Sequence, residues 1–205
     1  MRGILIGWLV KVARKFKVKS ETLHMCVQLI DYMLIFKGDI FHKKNFQLLG
    51  VASLFTACKY NEIYTVEAEK YVDFCDGQYK LSDLFEMEAI ILSAVSFNLQ
   101  IPTIHQYIGK IVEDYELCEE QQGSIKMLSD MLMYDFNVFN SFEKVYLATA
   151  MVSVTGKIEK ISKNFEELEK GLKESTLKKC KMAIISMYKK NALLKQSSPA
   201  YNVSI

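Results

Sequence analysis

The protein has 205 residues, of which 50% are hydrophobic and 24% charged, and it contains only nine glycines and two prolines. The apolar content and the net charge of +2 exclude a disordered or collagen-like chain, and so few turn residues exclude a many-stranded sandwich or barrel. Because 24 acidic residues nearly balance 26 basic ones, charge gives no argument for nucleic-acid binding, and we predict an all-α protein.

Apolar residues that recur every three or four positions predict five helices in the first hundred residues. The first helix ends in basic residues, which suits its dipole, and Ser20 is placed to cap the second. The third is apolar nearly all round and rich in small residues, so we expect it to be buried. The predicted spans are about 4–15, 20–35, 43–58, 66–75 and 82–95.

Residues 97–102 are predicted to form a linker, because Pro102 disfavours helical backbone at the residue before it. Five further helices then follow in a similar order, the first capped by Thr103. Their predicted spans are about 103–112, 119–136, 142–154, 165–170 and 175–194. The order indicates a duplicated helical unit, with one domain at 1–100, a second at 101–195 and a flexible polar tail at 196–205.

The cysteines predict reduced thiols in an intracellular protein, because their number is odd and no pair has zinc-site spacing. They are Cys26, Cys58, Cys75, Cys118 and Cys180. The apolar stretch at 4–10 stops at Lys11, well short of a bilayer span, and no signal-peptide cleavage site follows it. We therefore predict no membrane partner and a location in the nucleus and cytoplasm.

No arrangement typical of an active site is found in the sequence. His24, His42 and His105 lie far apart and lack metal-ligand spacing. Neither a phosphate-binding loop nor a nucleophile motif occurs, and Cys58 lies in the most apolar helix, where a thiol keeps its proton. We predict a protein that is not an enzyme and that holds no metal or cofactor.

The opening residues resemble the M-R-x-I-L start of the cyclin box in A- and B-type cyclins. Further matching strings follow in order as far as Thr103, and beyond it the resemblance is mainly one of helix order. The five positions that mark a cyclin box are filled by Arg2, Asp31, Leu48, Lys59 and Glu88. The resemblance implies two tandem five-helix cyclin-box folds.

The resemblance also implies a regulatory subunit that binds and activates a cyclin-dependent protein kinase in cell-cycle control. Such a subunit turns helix C of the kinase inward and completes the Lys–Glu pair needed for phosphoryl transfer. The positions implied to bind the kinase are Lys59, Glu88, Tyr60, Thr56 and Phe97. An internal Lys59–Glu88 salt bridge is the alternative. Arg2 and Asp31 correspond to a structural salt bridge that braces the first two helices.

A substrate-docking patch is the third implication of the resemblance, and it would take short peptides with a basic residue followed by Leu from substrates or inhibitors. Its positions are Met1, Ile4, Leu5, Trp8, Lys11 and Gln47. From apolar spacing alone, the same stripe is typical of ordinary core. The family commonly has carboxylates where this chain has Gly7 and Lys11, so we predict weakened or altered docking of basic peptides.

Two other interpretations stay open. A cyclin-fold transcription factor of the TFIIB type grips DNA and polymerase, and a lysine cluster at Lys178, Lys179 and Lys181 could serve it. The near-neutral charge, the presence of only two arginines and the M-R-x-I-L string argue against it. A transcription-type cyclin shares strings like Ala57-Cys58-Lys59 but seldom the opening motif.

Overall fold

The computed structural model describes residues 1–42, 44–158 and 165–197, and within these ranges it contains helices and no strands. The predicted all-α fold is confirmed. The first five helices are α1 (Arg2–Lys15), α2 (Ser20–Lys37), α3 (Phe46–Asn61), α4 (Ala68–Asp73) and α5 (Leu81–Ala94). The later helices are α6 (Ile104–Asp114), α7 (Glu119–Leu132), α8 (Phe136–Ser141), α9 (Lys144–Ile158), α10 (Glu166–Glu169) and α11 (Glu174–Ser197). No helix in the described part of the chain is long and apolar enough to cross a membrane.

The chain divides into two compact units, Met1–His105 and a second that begins at Gln106. Residues between α5 and α6 are not helical, as Pro102 predicts. The amide of Gln28 donates a hydrogen bond to the carbonyl of Pro102 at 3.2 Å, which ties this segment to α2. Of the predicted tail, residues 196 and 197 belong to α11, and 198–205 lie outside the described residues.

Helix α3 forms the core of the first unit, and every residue from Leu48 to Cys58 is buried. It packs against α1, α2, α4 and α5. A Cβ on Gly50 would lie 2.7 Å from Cδ1 of Leu5, so the glycine allows α1 to approach α3 closely. The third helix is therefore buried as predicted. Its predicted start near Lys43 falls on a residue outside the described ranges, and the observed helix begins at Phe46.

The start of α2 differs from the prediction that Ser20 caps it. Lys19 occupies the N-cap position and Ser20 is already helical, with no side-chain capping bond at this end. Instead, the carboxylate of Glu62 accepts hydrogen bonds from the Lys19 N–H at 2.9 Å and from the Thr22 hydroxyl at 2.6 Å. A residue directly after α3 thus satisfies the first turn of α2, which local sequence does not reveal.

The second unit contains a short helix that the periodicity does not predict. The helix expected over 119–136 ends at Leu132, and α8 begins four residues later. Asp135 is the reason, because its carboxylate accepts a hydrogen bond from the Val138 N–H at 3.1 Å and so starts a new helix. Helix α9 forms the core of this unit, where residues 147–156 are all buried.

Candidate functional site

An ion pair between α3 and α5 lies at the centre of the candidate site. Nζ of Lys59 is 2.6 Å from Oε2 of Glu88. The Lys59 side chain is 45% exposed, whereas that of Glu88 is only 9% exposed. The ammonium also lies 4.4 Å from the ring centre of Phe55, a favourable cation–π distance. Glu88 and Phe55 therefore restrict the lysine, while nearly half of its side chain stays exposed.

Thr56 supports this pair from inside the protein. Its hydroxyl is 3.2 Å from Oε1 of Glu88 and 2.9 Å from the carbonyl oxygen of Ala52. Thr56 is only 2% exposed, so no docked protein can reach it. The prediction that Thr56 itself contacts a kinase is therefore corrected: Thr56 positions the Glu88 carboxylate.

Two aromatic residues predicted for the site lie on the surface. Tyr60 is exposed beside Lys59 at the end of α3, and Phe97 is 73% exposed after α5. Ser96 and Phe97 both have positive φ angles, 51° and 57°, which cost a residue with a side chain on the order of 1 kcal/mol each. The Phe97 N–H donates to the carbonyl of Leu92 at 2.8 Å, which closes α5 and turns the aromatic side chain outward.

Three exposed apolar residues near the predicted site escaped the sequence prediction. Ile63 and Tyr64 follow α3, and Phe85 lies on α5 with its ring 6.1 Å from that of Phe55. The first two follow shortly after the end of α3 at Asn61, where a loop would ordinarily be polar. Large apolar residues in a segment predicted to lie between helices were the available signal for a contact surface.

Arg2 and Asp31 form the predicted structural contact between α1 and α2. Nε of Arg2 donates to Oδ1 of Asp31 at 2.5 Å, and Nη2 donates to Oδ2 at 2.7 Å. The two side chains are only 10% and 2% exposed. This two-bond geometry in a closed environment joins the helices and leaves little charge for a partner.

The predicted docking residues on α1 are divided between surface and core. Ile4 is 80% exposed, Met1 and Lys11 are exposed, and Trp8 is half-buried, as is Gln47 on α3. Leu5 is the exception, because it is only 6% exposed and packs against Gly50. Leu5 is therefore a core residue, and the accessible stripe consists of Met1, Ile4, Trp8 and Lys11.

A metal site requires several ligating side chains close together, and a reactive thiol requires a lowered pKa. These residues contain no group of three or more His, Cys, Asp or Glu side chains that could hold a metal ion. Burial raises the pKa of the Cys58 thiol to about 11, and it raises the pKa of Cys26 well above its ordinary value. Both thiols stay protonated near neutral pH, which makes them poor nucleophiles.

Sequence comparison assigns the first unit to a known protein family. The cyclin N-terminal domain profile matches residues 1–100. G2/mitotic-specific cyclin-B1 of Oryzias latipes is 34% identical over 158 residues, which is 77% of this chain and 38% of that protein. The chain belongs to the cyclin family. Human cyclin-A1 is 29% identical over 154 residues, which is 73% of this chain and 32% of cyclin-A1. The resemblance to A- and B-type cyclins is confirmed, and the chain spans less than two-fifths of these relatives.

Structural comparison supports a cyclin fold over most of the chain. The viral cyclin of herpesvirus saimiri superposes with a TM-score of 0.75 at 14% sequence identity. The match covers 91% of this cyclin and 83% of the viral chain. Because so few residues are identical, this likeness concerns the fold alone. The tandem cyclin-box architecture is thereby confirmed.

Proposed function

We propose that this cyclin binds and activates a cyclin-dependent protein kinase. The kinase-binding surface consists of Lys59, Tyr60, Glu88 and Phe97, with Ile63, Tyr64 and Phe85 at its margin. One observation carries the proposal: the buried Glu88 carboxylate fixes the Lys59 ammonium, while the Lys59 side chain as a whole remains 45% exposed, next to the exposed Tyr60. The names of the relatives support the same conclusion, since they are A- and B-type cyclins.

The charge arrangement suits recognition of a main-chain segment. A lysine ammonium has three N–H donors, and the contact with Glu88 engages one of them. The others can donate to backbone carbonyls at a helix end of the partner, and charged donors form the stronger hydrogen bonds. Because Glu88 and Phe55 already restrict the lysine, less conformational entropy is lost on binding.

The apolar margin supplies binding free energy. Large exposed apolar side chains lie at the end of α3 (Tyr60), just after it (Ile63 and Tyr64) and just after α5 (Phe97). Burying one such side chain is worth about 1.5–3 kcal/mol. Few monomeric proteins leave several of them together on the surface without an interaction to cover them.

Activation follows if this surface is rigid and the kinase is not. Helices α3 and α5 pack against each other and share the Lys59–Glu88 pair. A mobile kinase helix C docked on them would be turned inward, which completes the Lys–Glu pair of the kinase. In this proposal the cyclin supplies no catalytic group and acts by selecting the active kinase conformation.

The accessible stripe of α1 is proposed as a substrate-docking patch with altered specificity. Met1, Ile4 and Trp8 provide an apolar surface for a Leu anchor. Lys11 continues the same helix face and is exposed. Because a lysine repels the basic residue of a basic-Leu peptide, we expect weak docking of that class.

The test is capture of candidate cyclin-dependent kinases by the 205-residue chain, followed by phosphorylation of a histone-type substrate. Lys59→Ala and Glu88→Ala should each lower kinase stimulation about tenfold or more at limiting cyclin. Lys37→Ala and Glu86→Ala are matched controls, since both residues are exposed and lie outside the proposed surface. Stimulation unchanged by both Lys59→Ala and Glu88→Ala would refute the surface.

The same experiment separates this proposal from a DNA-binding function. A TFIIB-type protein would stimulate no kinase and would bind duplex DNA in a salt-sensitive manner. A nuclear and cytoplasmic location is part of the proposal, and imaging of a fluorescent fusion would test it. Confinement of the fusion to any other compartment would contradict it.

A further inference from the structure

Helix α11 turns a basic face with an apolar centre toward solvent. The face consists of Lys178, Lys179, Met182, Ile185, Lys189 and Lys190, all of which are exposed, Met182 to 63%. At about 100° per residue, the line Lys178, Met182, Ile185 and Lys189 stays within about 60° of the helix circumference. Lysines therefore stand at both ends of one continuous stripe, and two apolar side chains lie between them.

The four exposed lysines have no ion-pair partner within the described part of the chain. Lys181 is different, because its ammonium contacts the Glu169 carboxylate and its side chain is mostly covered. The sequence cluster of three lysines is thus split by the structure into one paired residue and two that face solvent. Over its length, α11 has six lysines against one glutamate, a net charge of +5 in a protein whose total is +2.

We propose that this basic face binds an acidic protein segment that carries an apolar side chain between two groups of carboxylates. The ends of the stripe, Lys178 and Lys189, are eleven residues apart, which corresponds to about 16 Å along the helix. Two clusters of carboxylates at that separation complement the two lysine pairs, Lys178 with Lys179 and Lys189 with Lys190. An apolar side chain between them covers Met182 and Ile185, which a purely solvated helix face would replace with polar residues.

The composition of the face favours an acidic protein segment over other anions. Nucleic acid is contacted through many phosphate charges, commonly by arginine forks, and this chain has no arginine after Arg14. A helix that binds a membrane surface presents a broad apolar face with aromatic residues. Here two apolar side chains form a narrow strip, which matches one side chain of a peptide rather than a bilayer.

The experiment uses the 205-residue chain and a fluorescent 20-residue peptide. The probe carries two Glu-Glu groups eleven residues apart with leucines between them, and a matched probe has Gln in place of each Glu. Binding is followed by fluorescence anisotropy. Lys178→Glu combined with Lys189→Glu should weaken binding of the acidic probe about tenfold. Met182→Ser should weaken it about threefold. Lys110→Glu combined with Lys126→Glu, at exposed lysines on α6 and α7, is the charge-matched control.

Three results would overturn the proposal. The first is equal affinity for the Glu and Gln probes, and the second is binding that Lys178→Glu and Lys189→Glu leave unchanged. The third is tighter binding of a duplex DNA or of phosphatidylserine vesicles than of the acidic probe. Circular dichroism of each variant verifies that the helices are retained, and the milder Lys178→Gln with Lys189→Gln should still lose several-fold. Kinase stimulation is measured separately, so either proposal can fail alone.

Discussion

Two ion pairs in the first unit each join residues 29 positions apart, yet their surroundings differ. Arg2 and Asp31 make two hydrogen bonds and are almost completely covered. Lys59 makes one bond to Glu88 and keeps 45% of its side chain exposed. Both pairs have short contacts, so distance does not distinguish their roles.

The difference shows how one fold uses the same chemistry for two purposes. A covered pair holds helices together, and removing one partner leaves the other charge buried without compensation. In the second pair Glu88 is buried as well, but the half-exposed Lys59 presents to a partner a charge whose position is already determined. Accessibility therefore predicts that Arg2–Asp31 acts on folding and Lys59–Glu88 on binding.

The largest expected effect is on stability at the covered pair. Arg2→Ala should lower the free energy of unfolding by about 3–5 kcal/mol, because Asp31 is left buried without its cation. Urea denaturation followed by circular dichroism measures the change, and Lys37→Ala is the control for removal of an exposed cation. A loss below about 1 kcal/mol would mean that the buried pair does not brace the helices.

The thiols near each pair report on the closed core. Cys26 lies near Asp31, and Cys58 immediately precedes Lys59. Since burial raises the pKa of Cys58 from 9.0 to about 11, its thiolate fraction at pH 8 is about a hundredfold lower than that of a free thiol. We expect iodoacetamide to label the exposed Cys118 at least about a hundredfold faster than Cys58, as measured by mass spectrometry of the native protein. Equal rates would show that the core beneath Lys59 is open.

The same thiol predicts how stability depends on pH. Its folded-state pKa is raised, so the protonated form is favoured by folding. Its contribution is fully present below pH 9 and is lost as the pH rises from 9 toward 11. Urea midpoints at pH 8, 9, 10 and 11 should fall across that interval, and Cys58→Ser should fall less steeply. A flat profile would contradict the buried, protonated state.

Binding should respond most at the half-exposed pair. Lys59→Ala should weaken kinase affinity about tenfold. It should lower the free energy of unfolding by about 1–3 kcal/mol, less than Arg2→Ala, because the buried Glu88 loses its cation but keeps its contact with the Thr56 hydroxyl. Titration of kinase stimulation gives the affinity, and urea denaturation gives the stability. Stability loss as large as that of Arg2→Ala, with affinity unchanged, would assign Lys59 a structural role instead.

A smaller effect is expected at Lys11, an exposed cation that forms no ion pair within the described part of the chain. Lys11→Glu should strengthen binding of a basic-Leu peptide about threefold, because repulsion becomes attraction in a solvent-screened site. Isothermal titration calorimetry measures the affinity, and Lys11→Gln should lie between the two. Low micromolar binding to the native protein, with no gain in Lys11→Glu, would contradict the altered specificity.

Sequence periodicity predicted the helices well because long amphipathic segments repeat every 3.6 residues. It missed α8, because Asp135 ends one helical run and caps the next within a few residues. The cyclin resemblance predicted the Arg2–Asp31 pair, and it named Lys59 and Glu88 as kinase-binding positions with a salt bridge between them as the alternative. It could not predict that Thr56 and Leu5 are buried, since the family pattern names positions and does not give the side facing solvent.

The sequence by itself determined the all-helical fold, the turn at Pro102, the family and the residue types at the five cyclin-box positions. These follow from local periodicity, backbone restrictions and order along the chain. Only the tertiary structure decided which charges are sealed and which are accessible, because burial depends on how α1, α2, α3 and α5 pack together. That packing joins Arg2 to Asp31 and leaves part of Lys59 facing solvent. It likewise pairs Lys181 with Glu169 while its neighbours Lys178 and Lys179 remain exposed.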